Sequence, residues 1–292
     1  MSDDPFITHR SLLFTVGYEM LGSAADAEDV VQETWLRWAG MTDAAREEVR
    51  DPRAYLVRIV TRQALNRLRT VARQREDYVG QWLPEPLLTS PDVAEDVELA
   101  ESVSYALLTV LETLGPAERA VFVLHDVFDV PYNEVAEAVG KSPDAVRQIA
   151  HRARRHVDAR RPRVEVSRTE QQLVVDRFIA AVTTGDMQGL LDVLAPDVVL
   201  VADGGGLVQA FLNPIEGARR VAAVLSRFAQ LAPGTEVATM LVNGAVAARI
   251  DALGELHTAV NFVVKDGRIE RIYAIRNPQK LSRLEEVAEL RR

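Results

Sequence analysis

The sequence has no cysteine, which excludes disulfide frameworks, cysteine-ligated zinc and thiol catalysis. It has only three lysines, Lys141, Lys265 and Lys280, among 34 basic residues. Arginine therefore carries the positive charge, and its planar fork suits bidentate contacts to phosphate and guanine. Aromatic residues are scarce, at 6% of the chain, so cores must be built mainly from Leu, Val and Ala. No run of about 18 apolar residues occurs, so no membrane-spanning helix is expected. Residues 1–10 carry acids and no apolar stretch of the secretory type. A soluble protein of the cytoplasm is the expectation. The formal charge of −9 argues against a uniformly basic nucleic-acid binder, unless the sign is segregated along the chain.

It is segregated. At 292 residues the chain is long enough for two or three domains. His9–Leu21 and Ala27–Ala39 have the periodicity of amphipathic helices, with Gly22-Ser23 between them. A third helix starts at Asp51-Pro52 and runs to about Arg73, giving a small three-helix bundle. Tyr78–Pro86 is interrupted by a glycine and two prolines and cannot be a regular helix. From Glu85 to Glu101 there are six acids and no base, so this linker is acidic. Helices are then expected over Val103–Leu114, Ala117–Asp126, Tyr132–Val139 and Pro143 to about Asp158. From Thr169 the pattern changes. Helices over Glu170–Thr183 and Asp186–Leu194 give way to β-branched runs at Val198–Ala202, Glu236–Val242, Ala245–Ile250, His257–Val264 and Ile269–Ile275. Lys265-Asp266-Gly267 reads as a hairpin turn, and the whole segment as an α+β domain with antiparallel strands.

The strongest local signal is a helix-turn-helix over Tyr132–His156. Ala136, Gly140 and Val146 stand where the motif needs a small residue at the crossing, a left-handed turn and a branched apolar residue. Ser142 is a natural N-cap, followed by Pro143 and Asp144 in the first turn. Val146, Ile149, Ala150 and Ala153 point inward; Arg147, His151, Arg154 and Arg155 share the opposite face. Ser142–Arg163 has seven arginines against two aspartates, net +5 in an acidic chain. The N-terminal part of such a helix meets base edges. Arg147 and Gln148 have the chemistry to read guanine and adenine there, while His151, Arg152, Arg154 and Arg155 suit phosphates. An ordinary helical hairpin with a solvated arginine face is the alternative.

The third helix is a second basic element. Pro52–Arg75 carries Arg53, Arg58, Arg62, Arg67, Arg69, Arg73 and Arg75, no acid, and Tyr55. A basic helix with an aromatic suits melted single-stranded DNA; a charged surface helix is the competing reading. The helix before it is acidic, with Val30, Val31, Trp35 and Trp38 as apolar surface. Each tryptophan is either core or an interface anchor.

These segments resemble extracytoplasmic-function sigma factors of bacterial RNA polymerase. Met20–Gly22, Ala27–Trp38 and Asp51–Leu56 are similar to the family's region 2, and Leu107–Val157 to its region 4. The remainder resembles the subgroup with a C-terminal SnoaL-like domain. Tyr78–Leu87 is similar to its linker signature, with Gln81 in place of proline. Asp203-Gly204-Gly205-Gly206 matches its glycine motif, and Asn277-Pro278-Gln279-Lys280-Leu281 resembles its tail motif, with Gln279 in place of aspartate. The resemblance implies a multidomain fold of two all-α sigma domains plus an α+β SnoaL-like cone. The boundaries are 1–77 for region 2, 78–101 for the linker, 102–166 for region 4 and 167–292 for the SnoaL-like domain. Asp29, Gln32, Glu33 and Trp35 would bind the polymerase β′ coiled coil, and region 4 the β flap. Arg53, Tyr55, Arg58, Arg62, Asn66 and Arg69 would melt and read the minus-ten element. Ser142, Asp144, Arg147, Gln148, His151, Arg152 and Arg155 would engage the minus-thirty-five element. Many family members have Asn and Asp where Arg62 and Asn66 stand, which leaves the preferred minus-ten bases open. Trp82, Leu83, Pro84, Asp203, Gly204, Gly205, Gly206, Asn277, Pro278, Lys280 and Leu281 would form the regulatory contact. No catalytic group, metal or cofactor is implied.

Two other functions stay open. One is a cone-fold isomerase or hydrolase fused to a DNA-binding module, with Asp186, Asp203, Asp251, Glu255 or His257 as base. The other is a regulator that senses a small ligand in the cone. The Gly204–Gly206 run is no phosphate loop, since no Gly-Lys-Ser/Thr follows it. Neither alternative requires the region 2-like block.

Overall fold

Helix boundaries follow local chemistry. In the computed structural model, which describes residues 4–160, 167–227, 234–252 and 254–292, and of residues 72–76 the helical backbone alone, α1 spans Pro5–Leu21. The Asp4 carboxylate caps it by accepting from the Phe6 amide at 2.8 Å, and Gly22 ends it at φ 67°. That left-handed backbone favours glycine, the residue without a Cβ. Ser23 caps α2 (Ala24–Ala39), a short α3 covers Asp43–Glu47, and α4 runs from Pro52 to Glu76. Leu56, Val60, Ala64 and Leu68 recur every four residues on α4 and are buried against α1 and α2. Each large apolar side chain on that stripe contributes about 1.5–3 kcal/mol.

The chain forms two units. One is Met1–Glu76 with Leu107–Arg161 and Glu289–Arg292; the other is Asp77–Ala106 with Pro162–Ala288. In the first, α7 (Tyr105–Leu111, whose first two residues belong to the other unit) leads to α8 (Pro116–Phe122), α9 (Tyr132–Val139) and α10 (Pro143–Arg160). The helix expected over Ala117–Asp126 ends earlier than its pattern implies. From Val123 to Val127 the backbone turns π-helical, a register that the same apolar spacing does not distinguish from α. The expected Val103–Leu114 helix is also shorter, Tyr105–Leu111, with Val103 serving as the C-cap of α6 (Val97–Ser102). Arg119 on α8 is 1% exposed and joins the two helical groups. It donates to the Glu19 carbonyl of α1 at 2.9 Å and to the Glu112 carboxylate at 2.7 Å. The C-terminal residues return to this unit: the Arg291 amide donates to Thr15 Oγ1 at 3.1 Å, and Arg292 reaches the Val127 carbonyl.

The second unit is built on a six-stranded sheet of order β2-β1-β6-β5-β4-β3. The strands are β1 (Leu194–Asp203), β2 (Ile215–Glu216), β3 (Thr235–Val242), β4 (Ala245–Ala252), β5 (Glu255–Lys265) and β6 (Arg268–Ile275). The antiparallel expectation holds for every pair except β1 with β6, which is parallel. The β3–β4–β5–β6 meander brings its last strand back beside β1 in the same direction, a long-range pairing that no local pattern reports. Asp266 (φ 50°) and Gly267 (φ 70°) make the expected tight hairpin turn, and Asn243-Gly244 makes a second one.

One face of the sheet packs under α11 (Arg168–Thr184), α12 (Met187–Val193) and α13 (Ala218–Leu225), with Val175, Phe178 and Leu190 meeting Leu200, Val260 and Phe262. The other face carries Ala247, Ala259, Val263, Tyr273 and Ile275. The Asp77–Ala106 segment covers it with Leu83 and Tyr105, and the residues after β6 add Leu281 and Leu284. Burial on both faces explains why β5 is buried without alternation from Thr258 to Val264. The segment expected as a linker is thus packed as a layer of this unit. Beyond its extended part it holds two short helices, α5 (Pro91–Glu95) and α6.

Candidate functional site

The helix-turn-helix is built as its residues require. Gly140 takes φ 68°, Ser142 Oγ accepts from the Ala145 amide at 3.3 Å, and Val146, Ile149, Ala150 and Ala153 are buried. Arg147, Gln148, His151, Arg152 and Arg155 are exposed on α10. Asp144 holds Arg147 at 2.5 Å, and Arg152 lies 3.5 Å from Glu118. Arg154, grouped with these on periodicity, is engaged within the domain instead. It pairs with Asp126 and donates to the Tyr132 hydroxyl at 3.2 Å. The Asp126 bond pushes its pKa further up. Arg161 and Arg163 lie outside the described residues.

On α4, Arg53, Arg62, Asn66 and Arg69 are exposed, while Tyr55 and Arg58 are half-buried. Tyr55 packs 6.0 Å from the Trp38 ring, and Arg58 sits 5.4 Å over Tyr55. Arg67 is committed to α2, with Asp26 at 2.6 Å and Asp29 at 3.0 Å. The side chains of Arg73 and Arg75 lie outside the described ones. Within this unit α9 lies on α4: Arg58 donates to the Glu137 carboxylate and Arg62 to the Glu137 carbonyl, each at 2.8 Å. An open cleft of about 530 Å³ between them is lined by Met41, Val49, Tyr55, Arg58, Glu134 and Glu137. Nothing in the sequence flagged Glu137, since an acid on a surface helix carries no signature.

The two tryptophans divide. Trp38 is core, 2% exposed, with its indole N–H on Asp4 at 3.0 Å. Trp35 is half-buried against Phe6, on the same helix as exposed Asp29, Gln32 and Glu33. Leu36, 63% exposed, and Ile7, 70% exposed, add apolar surface on α2 and α1 that the sequence pattern did not single out.

In the second unit the proposed regulatory residues converge on Asp203, which is fully buried. One carboxylate oxygen accepts from the Tyr78 hydroxyl at 2.6 Å and the Gly205 amide at 3.0 Å. The other accepts from the Leu83 amide at 3.0 Å and Lys280 Nζ at 2.7 Å. Lys280 also donates to the Leu83 carbonyl at 2.5 Å and lies 3.3 Å over the Trp82 ring. Asn277 caps α14 (Pro278–Leu281) and donates to the Tyr78 hydroxyl at 2.9 Å. Gly205 (φ 62°) must lack a side chain, because a Cβ would lie 2.3 Å from Asn277 Nδ2. Gly204 has the same constraint against the Val208 carbonyl, and Gly206 packs on Val79. Pro84 accepts from the Tyr105 hydroxyl. Burial raises the Tyr78 pKa, and the bond to Asp203 adds to it. Tyr78, Tyr105 and Asn243, whose side chain bonds the Leu87 amide and the Val103 carbonyl, were not singled out as contacts by sequence.

The candidate bases have separate positions. Asp186 caps α12, Asp251 pairs with Arg249 at 2.8 Å, and Glu255 is exposed at the start of β5. His257 lies between Thr258 and Arg276, and burial followed by the Arg276 charge lowers its pKa.

Family models agree with this geometry: Sigma-70 region 2 matches residues 6–74 and Sigma-70, region 4 matches residues 104–157. The chain is 36% identical to the ECF RNA polymerase sigma factor SigJ of Mycobacterium tuberculosis, covering 97% of this chain and 94% of that one. It is 32% identical to the probable ECF RNA polymerase sigma factor SigI of the same species, covering 94% and 93%. The crystal structure of SigJ superposes with a TM-score of 0.75, covering 95% of this chain and 97% of that one at 35% identity. Both helical blocks match sigma-70 models, the identity to SigJ runs over nearly the whole chain, and the chain belongs to the extracytoplasmic-function RNA polymerase sigma factors.

Proposed function

We propose that this chain brings core RNA polymerase to specific promoters in the cytoplasm, and that its C-terminal domain controls it in cis without turnover. Asp29, Gln32, Glu33 and Trp35 form the face for the β′ coiled coil, and the helix-turn-helix domain meets the β flap. Arg53, Tyr55, Arg58, Arg62, Asn66 and Arg69 meet the melted minus-ten strand. Arg147 and Gln148 read minus-thirty-five bases, with Ser142, Asp144, His151, Arg152 and Arg155 placing the helix.

The observation that carries the regulatory reading is the Asp203 hub. The 30 residues from Asp77 to Ala106 join the two DNA-binding elements. Free, such a segment spans up to ~100 Å, enough for elements about 25 base pairs, or ~85 Å, apart. Bonded to Asp203 and Lys280 through Tyr78 and Leu83, much of that reach is withheld. Transcription by core polymerase on a promoter library tests both parts. The full chain should initiate at a defined promoter set. Lys280→Ala should still bind core while changing output several-fold. A chain that never co-elutes with core at any salt ends the polymerase reading. Unchanged output from Lys280→Ala ends the regulatory one.

A further inference from the structure

Arg147 is an exposed arginine on a long flexible stem, yet reading a base needs a fixed guanidinium plane. Two groups constrain it. The Asp144 carboxylate holds Nη1 at 2.5 Å, and the Tyr132 ring lies beneath the guanidinium at 5.8 Å. The Tyr132 ring is itself held on two sides. It stacks on His125 with centroids 3.8 Å apart and 32° between planes, and its hydroxyl accepts from Arg154. His125 Nδ1 meets the Val130 carbonyl at 2.9 Å, and Arg154 is paired to Asp126. His125 and Asp126 are neighbours on the π-helical turn Val123–Val127. Such turns are rare and are frequently found at functional sites. This one sends two consecutive side chains to the same tyrosine–arginine pair.

We propose that Tyr132 is a specificity-determining positioning residue: backed by His125 and Arg154, its ring aligns Arg147 for one base of the upstream promoter element. The proposal rests on the reading of α10 as the base-reading helix. A structural tyrosine would only keep α9 folded, so the readout must separate base preference from affinity.

The experiment uses the full chain with core polymerase on promoters randomised over the upstream element, with Arg147→Ala as reference. Tyr132→Leu should flatten preference at the single position that Arg147→Ala flattens, and leave the salt dependence of binding unchanged. Tyr132→Phe, which keeps the ring but loses the bond from Arg154, should retain more of that preference than Tyr132→Leu. His125→Leu, which removes the backing from the other side, should weaken it at the same position. The Tyr132→Leu/Arg147→Ala double variant should be no flatter than Arg147→Ala alone. Uniform weakening by Tyr132→Leu and His125→Leu with preference intact overturns the proposal. If Arg147→Ala itself flattens no position, the assignment of α10 has failed, and the proposal falls with it by a distinct signature.

Discussion

Lys280 and Asp203 form an ion pair with almost no access to water, their side chains 7% and 0% exposed. Its energetics are asymmetric: removing the cation leaves a buried carboxylate uncompensated, which costs about 3–5 kcal/mol, whereas replacing both charges need not. Lys280→Ala should therefore lower the urea midpoint strongly, and the Asp203→Asn/Lys280→Met pair should cost less than the sum of its single changes. Additive losses would show that the two do not act together. Tyr78 supplies a pH test. Burial and the Asp203 bond raise its folded pKa above the ordinary value, so its contribution is complete below the unfolded pKa near 10.0. As pH climbs above that value the unfolded state loses the proton first, and stability falls. Tyr78→Phe should remove that alkaline component; identical profiles for the two proteins would refute it. The residues of this hub were legible as motifs in the sequence. Their partners were not, because Tyr78 and Asp203 are 125 positions apart and no local pattern encodes that pairing.

Between elements, the contact of α9 with α4 has a functional edge. Glu137 occupies two arginines assigned to single-stranded DNA, and its own side chain is 63% exposed. Glu137→Ala should change stability by no more than about 0.5 kcal/mol, as a surface substitution does. It should raise affinity for a single-stranded minus-ten oligonucleotide a few-fold in anisotropy titrations; equal affinity would show that α9 and DNA do not compete for Arg58. The two tryptophans give a contrast on α2. Trp38→Ala should cost about 3–5 kcal/mol as a core truncation. Trp35→Ala should leave the fold and weaken co-elution with core polymerase. Most elements were readable because caps and periodicity are local: Ser142 and Gly140 act where their chemistry predicts, whereas α1 and α2 start earlier than the expected His9 and Ala27, at the caps Asp4 and Ser23. The π turn at Val123–Val127, α13 and the parallel β1–β6 pair were not. The first differs from an α-helix only in hydrogen-bond register, and the last joins strands separated by about half of the domain.

Across the molecule, charge is segregated: the chain totals −9, while Ser142–Arg163 carries +5. Promoter binding should therefore weaken steeply with salt, and Arg155→Ala should lower affinity for all sequences while reducing the salt slope by about one. An unchanged slope would remove Arg155 from the phosphate contacts. By itself the sequence determined the two helical sigma blocks, the helix-turn-helix with its caps and turn, the arginine faces and the α+β character of the C-terminal third. Each rests on interactions within a few residues, which spacing reports directly. Tertiary structure alone decided three other things: that the Asp77–Ala106 segment is a layer on the sheet, that Trp38 is core while Trp35 reaches the surface, and that Glu137 meets Arg58 and Arg62. Those outcomes depend on which distant faces bury one another, and burial of apolar area is non-directional, so periodicity names a face without naming its partner.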